Sequence, residues 1–272
     1  MPIFVIVKDL YMEARFKSLT VFEFIKRFPN DKSCYEYLEK LKWSDGYSCK
    51  KCGNKSYCAG NKAFERQCTK CRYVESVTAG TLFHKVKFPI LKAFWIVYYI
   101  ATTKKGLAST ELSRKLGLRQ KTCWLFKQKV MRAMRSSGKQ PLKGKVEVDE
   151  FVVGQQEAGS SGRKKGKKKL VVIAVERYGE KGASRLYARQ IENASSKELA
   201  PFVLERVARE ASLCTDAWSG YNCLKSEYQN FTQVLSGEKG GNFNTLHRVI
   251  MGFKSWLRGT HSQVSHLQSY LD

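Results

Sequence analysis

Two Cys-x-x-Cys pairs (Cys49/Cys52 and Cys68/Cys71), a helical repeat broken at a glycine, and a late switch to strand alternation predict a multidomain fold. The expected class is a small zinc ribbon plus an all-α helix-turn-helix, then an α/β domain with a mixed sheet and flanking helices. At 272 residues the chain has room for these parts and for one substantial core.

Residues 1–42 read as an N-terminal helical segment. Phe22, Phe24, Ile25, Phe28, Tyr35 and Leu38 recur at helical spacing, and Pro29-Asn30-Asp31 interrupts them. Residues 43–80 are turn-rich and carry the cysteine pairs, so they read as two small hairpins whose core is largely a metal. Residues 85–135 return to helical spacing. FPILKAFWIVYYIATT reads as a buried helix, too short for a bilayer span and interrupted by Lys92. LASTELSRKLGLRQKTCWLFKQKVMRAM reads as helix, tight turn at Gly117, helix, with Ser109 or Thr110 as the first cap. Residues 136–144 form a Ser/Gly/Pro linker.

From 145 to 272 the pattern is strand first. KVEVDEFVVG alternates, KLVVIAVERY is apolar almost throughout like a central strand, and SRLYARQIE reads as a third strand. SSKELAPFVLERVAREA is an amphipathic helix and SLCTDAW a short strand. FTQVL reads as another strand and NTLHRVIMGFKSWLRG as the last helix.

Forty-nine Lys and Arg against 24 Asp and Glu give a net charge of +25. Spread along the whole chain, that charge favours a polyanionic partner over a membrane surface. Nine cysteines, an odd number and partly in knuckle spacing, point to reduced, metal-bound thiols in the cytoplasm.

Four groups of residues could carry chemistry. Cys49, Cys52, Cys68 and Cys71 suit one tetrahedral Zn²⁺ with no open position, hence a structural site; Cys58 is left as a spare thiol. Arg119, Gln120, Lys121, Lys127 and Lys129 in the second helix of the hairpin suit phosphates and base edges, or else form an ordinary solvated face. Arg163, Lys164, Lys165, Lys167, Lys168 and Lys169 form a basic loop suited to phosphate contact, or a solvated hairpin tip. Asp149 and Asp216 each read as sitting at the end of a strand, where two hard oxygen ligands can hold Mg²⁺ or Mn²⁺; either alone would read as a turn residue.

An ordered series of segments runs through FKSLTVFEFIKRFPNDKSCYEYLEKLKW, SVTAGTLFHKVKFP, TTKKGLASTELSRKLGL, VEVDEFVVG, TDAWSGY, NTLHRVIMGFKSWLRGTH and SHLQSYLD. From about Phe16 onward it resembles bacterial insertion-sequence transposases of the ISXO-like family. The resemblance implies an RNase H-like catalytic domain of the DDE type. Asp149 matches the first catalytic aspartate and Asp216 the second. The third acidic position, seven residues before Lys254, is His247 here. Neutral imidazole can ligate a divalent ion and suits Mn²⁺ better than Mg²⁺; Lys254, two helical turns on, can reach a phosphate.

The implied function is binding of terminal inverted repeats in double-stranded DNA, with divalent-metal-dependent cleavage and strand transfer into target DNA. The implied assembly is a homodimer on DNA, nucleoid-associated in the cytoplasm and without a membrane partner. The leader MPIFVIVKDLYMEA precedes the usual start, and the end at Tyr270-Leu271-Asp272 falls before a Glu-, Phe- and Arg-rich segment usual in the family. A C-terminally shortened catalytic domain is therefore expected, with a catalytically inactive, DNA-binding-only protein as the alternative.

Overall fold

A computed structural model describes residues 19–135, 138, 140–154, 168–179, 182–235, 237–260 and 267–271. The chain divides into two compact units, one of Met1–Thr103 and Ser109–Met134, the other of Lys104–Ala108 and Arg135–Asp272.

In the first unit, α1 (Val21–Arg27) starts at a reciprocal cap between Thr20 and Glu23, and α2 (Asp31–Lys42) at one between Asn30 and Ser33. The expected break at Pro29-Asn30 thus becomes a helix start. Phe24, Phe28 and Phe94 bury their rings together, with Phe28 5.2 Å from Phe24 and 5.0 Å from Phe94. β1 (Tyr57–Ala59), β2 (Glu65–Cys68) and β3 (Val74–Ser76) form one antiparallel sheet with β2 in the middle. The two expected hairpins therefore share a strand.

Glu75 on β3 is 1% exposed, and its Oε1 lies 2.8 Å from Lys42 Nζ and 2.7 Å from Lys50 Nζ. The Lys42 ammonium also donates to the carbonyls of Ser76 and Ala79, at 2.7 and 2.9 Å. This ion cluster ties α2 to the ribbon, whose own apolar core is small.

α3 (Ile90–Thr102) buries Ile90, Ala93, Phe94, Ile96 and Val97. α4 (Ser109–Leu116) and α5 (Gln120–Met134) meet at a tight turn in which Gly117 has φ of +59°, a conformation that disfavours a Cβ. The turn is closed by Leu118 N donating to Ser113 O and by Ser113 Oγ donating to Leu118 O. Leu112 of α4 and Cys123, Phe126 and Val130 of α5 are buried. Ser109 is the first residue of α4, and its Oγ accepts from Gln120 Nε2 at 2.7 Å.

In the second unit, β4 (Lys145–Val153), β5 (Lys169–Tyr178) and β6 (Gly182–Ile191) form an antiparallel meander. After α6 (Ser196–Arg206), β7 (Ser212–Asp216) pairs parallel to β4. β8 (Phe231–Val234) pairs parallel to β7, giving the order β6-β5-β4-β7-β8. α7 (Asn244–Arg258) and α8 (Gln268–Leu271) follow. The sheet is mixed and has helices on its faces. Val146, Val148, Val172 and Ala174 pack with Leu199, Phe202 and Val203 of α6. The alternate residues Phe151, Val153, Val171 and Ile173 pack with Leu246, Ile250 and Leu257 of α7. β5 is apolar on both faces because both are covered.

The second half of the expected linker is not free chain. Leu142 is fully buried in the α6-side core and bridges to Val207. Its packing overrides the loop composition around it.

Candidate functional site

β4 and β7 are paired in parallel through Val148 and Thr215, and the next residue on each strand is an aspartate. Same-register residues of parallel strands project to the same side, so Asp149 and Asp216 stand next to each other, both buried. One carboxylate oxygen each from Asp149, Glu150 and Asp216 lie within 4.8 Å of one another. Asp149 Oδ1 accepts from the backbone N of Glu150 at 2.7 Å, and Asp216 Oδ1 from that of Trp218 at 3.2 Å. Three acids this close, two of them buried, repel one another unless a cation sits among them.

The strand and motif pattern of the sequence does not single out Glu150. Its parity along β4 sends it to the other face, where Tyr221 Oη donates to its Oε2 at 2.9 Å. Burial, and then the Glu150 charge, hold the Tyr221 phenol well above its usual pKa, so it stays a donor. The available signal was that Glu150 and Tyr221 lie in the same two motifs, VEVDEF and TDAWSGY, as the aspartates.

His247 is in the first turns of α7. Its Nε2 is buried, has no hydrogen-bond partner among the described residues, and lies 3.9 Å from Asp149 Oδ2. That gap is too long for a hydrogen bond. It suits two ligands of one ion, since donors about 2.1 Å from a shared octahedral centre stand roughly 3 to 4 Å apart. The acidic trio therefore fits a divalent cation, and the orphaned nitrogen stands beside Asp149, outside the 4.8 Å group of the three carboxylates. Lys254 lies further along α7, half-buried, with Nζ 5.4 Å from the centre of the Phe151 ring. Burial, with help from Arg258 and Lys168, pushes its pKa down.

In the ribbon, Cys49 Sγ and Cys71 Sγ are 3.5 Å apart, Cys52 Sγ and Cys68 Sγ 3.6 Å, and all four lie within 4.8 Å. Thiolates about 2.3 Å from one Zn²⁺ would stand roughly 3.8 Å apart, so the cluster fits that ion. The two knuckles are built alike. Gly53 N donates to Cys49 O and Arg72 N to Cys68 O, with φ of +70° at Gly53 and +59° at Arg72. The backbone N–H of Cys71 chiefly draws the Cys68 thiol down to about 6, against burial. At Cys71 the N–H of Tyr73 is outweighed by burial and the other thiols, and the pKa rises to about 12. Such a set cannot all be anionic without a cation. Cys58 is exposed on β1, outside the cluster.

Arg119, Gln120 and Lys121 are exposed at the start of α5. Lys127 departs from the expected DNA-facing position: it is 3% exposed, and burial pushes its pKa down to about 8. The reason is helical periodicity, which puts it beside Phe126 and one turn from Cys123 and Val130, on the inward side. Lys129 donates to His84 O at 2.8 Å. Of the basic loop, Lys168 and Lys169 lead into β5, while Arg163, Lys164, Lys165 and Lys167 lie outside the described residues.

Among the described residues, no helix is long and apolar enough to cross a membrane. Residues 141–272 match the ISXO2-like transposase domain and residues 29–74 the transposase zinc-ribbon domain. A curated relative, described as an uncharacterized protein in transposable element ISH50 of Halobacterium salinarum, is 28% identical over 145 residues. The match covers 52% of this chain and 47% of the relative, so the chain spans about half the relative's length.

Proposed function

From the premise that this chain belongs to the ISXO2-like transposase family, we propose that it binds the terminal inverted repeats of an insertion sequence, cuts the DNA there and joins the ends to target DNA. The single observation that carries the catalytic part is the meeting of Asp149, midway along β4, with Asp216, the last residue of the adjacent parallel strand β7, and the approach of His247 Nε2 to Asp149. Asp216 closes β7, and open α/β sheets gather ligands at such strand ends. The RNase H-like reading of the domain is supported by the same sheet, an antiparallel meander extended by two parallel strands.

Asp149, Asp216 and His247 would hold Mg²⁺ or Mn²⁺, with Glu150 as a further carboxylate beside them. Bound there, a divalent pair supplies activation of the attacking oxygen and stabilisation of the leaving one during in-line displacement. The chain's own part is to orient. Backbone N–H groups of Glu150 and Trp218 fix the two aspartates, and Tyr221 fixes Glu150. Lys254 would neutralise a phosphate near His247, two helical turns away.

The four-cysteine ribbon would hold a structural Zn²⁺. With the helix-turn-helix of α4 and α5 it would recognise the repeats through Arg119, Gln120 and Lys121, and Lys168 and Lys169 would meet the DNA backbone. We assign residues 19–42, 43–80, 85–135 and 145–272 to helical segment, ribbon, helix-turn-helix and catalytic domain, with Leu142 part of the last; residues 1–18 of the expected helical segment lie outside the described residues. Joining two ends calls for two active sites, hence a dimer on DNA.

The test is cleavage and strand transfer on labelled repeat DNA with Mn²⁺ and with Mg²⁺, wild type beside Asp149→Asn. Metal-dependent product that disappears in the variant is the expected result. Repeat DNA that is bound but never cut with either ion would reduce the function to DNA binding alone.

A further inference from the structure

α7 begins without a local cap. Phe243 precedes it and offers no side-chain acceptor, while the first four N–H groups of any helix have no partner within it. The acceptor comes instead from 99 residues away: Glu147 Oε2 lies 3.3 Å from Leu246 N, the third residue of the helix. The other oxygen of the same carboxylate, Oε1, pairs with Arg177 Nη1 of β5 at 3.2 Å. Glu147 is 5% exposed. One buried carboxylate therefore joins β4, β5 and the start of α7.

Its position relates it to the acidic site. Glu147 and Asp149 are two residues apart on β4, hence on the same face, the one α7 covers. Leu246 and His247 are consecutive on α7. Glu147 meets the first of these and Asp149 faces the second, with 3.9 Å between Asp149 Oδ2 and His247 Nε2. Two same-face residues of one strand thus register two consecutive residues of one helix. A shift of α7 by an ångström would change the gap between His247 and Asp149 by a comparable amount, enough to spoil shared coordination of an ion.

We infer that Glu147 is a positioning residue: its carboxylate fixes the first turn of α7 and so holds His247 opposite Asp149. This rests on the reading of His247 as an ion ligand. Side chains that orient a ligand from behind it change metal affinity by about 10- to 100-fold when removed, which sets the expected effect.

The experiment is Mn²⁺ binding to the full zinc-loaded chain, read by electron paramagnetic resonance, with melting curves to verify folding. E147A and H247A should each weaken Mn²⁺ binding by about 10- to 100-fold. E147A/H247A should bind no more weakly than H247A, since a helix without its ligand has nothing left to position. E147Q keeps an oxygen for Leu246 N–H and should restore affinity to within about threefold of wild type. If E147A does not fold, E147D, one methylene short of Leu246, carries the same expectation as E147A. Normal Mn²⁺ binding by E147A beside weak binding by H247A would overturn the positioning role and leave the ligand intact. So would a double variant showing the product of both losses. Normal binding by H247A would overturn the ligand reading itself, and the positioning role with it.

Discussion

Substituting Glu75 by Gln tests what holds the ribbon to the helix before it. The carboxylate is 1% exposed and its Lys42 partner 8%, whereas Lys50 is 57% exposed. Losing one member of a buried pair costs about 3–5 kcal/mol, because the other charge is left buried. The contact with Lys50 adds little, since water screens it. The Lys42 ammonium keeps two carbonyls, at 2.7 and 2.9 Å, which offset part of the loss. The expected cost is therefore near the lower bound, about 3 kcal/mol.

K42M should cost a similar amount. E75Q/K42M should cost clearly less than the sum, because no unpaired charge remains. Zinc release to a chromophoric chelator during urea unfolding reports on the ribbon alone, which matters in a chain of two compact units. Burial pushes the Glu75 pKa up, but the Lys42 and Lys50 ammonium groups outweigh it and hold it below 4.5. A depressed carboxylate stabilises the fold above its unfolded pKa, and that contribution fades as pH falls below about 4.3 through the folded value. Wild type should thus lose stability in that range more steeply than E75Q. A cost below about 1 kcal/mol, within the range of surface pairs, or strict additivity in the double variant, would refute the reasoning.

Three further outcomes follow from the other candidate groups. The purified chain should carry about one zinc per molecule by elemental analysis, and C68S should lose it along with ribbon folding; full zinc retention by C68S would remove Cys68 from the site. In DNA binding, K121A should weaken affinity and lower the salt slope by about 1, as loss of one phosphate contact does, while K127A should leave the slope unchanged; an equal fall in both would put Lys127 on the DNA. Because the folded Lys127 pKa is about 8, the unfolded chain binds more protons between that pH and about 10.4. Stability should rise with pH across this window in wild type and not in K127M.

Local chemistry was readable from the residues alone. Knuckle spacing in Cys49/Cys52 and Cys68/Cys71 identifies a four-thiol cluster because nearby residues in a tight turn have few ways to arrange themselves. KLVVIAVERY coincides with β5 because an apolar run of that length needs two covered faces, and Gly117 marks the hairpin turn because φ of +59° favours a residue without a Cβ. Asp216 does close its strand, as its motif suggests, whereas Asp149 lies midway along β4 because the strand runs on to Val153; family resemblance is what singles it out.

Other features depend on which faces meet. Glu150 sits on the opposite face of β4 by parity, yet one of its carboxylate oxygens lies within 4.8 Å of those of both aspartates. Lys127 looked solvent-facing by composition, yet helical periodicity and packing bury it. Leu142 left its apparent linker for the core. The cap on α7 comes from Glu147 across 99 residues. Periodicity and spacing report neighbours along the chain; contacts at that separation exist only once the sheet has registered and the helix has docked, so tertiary packing alone decided them.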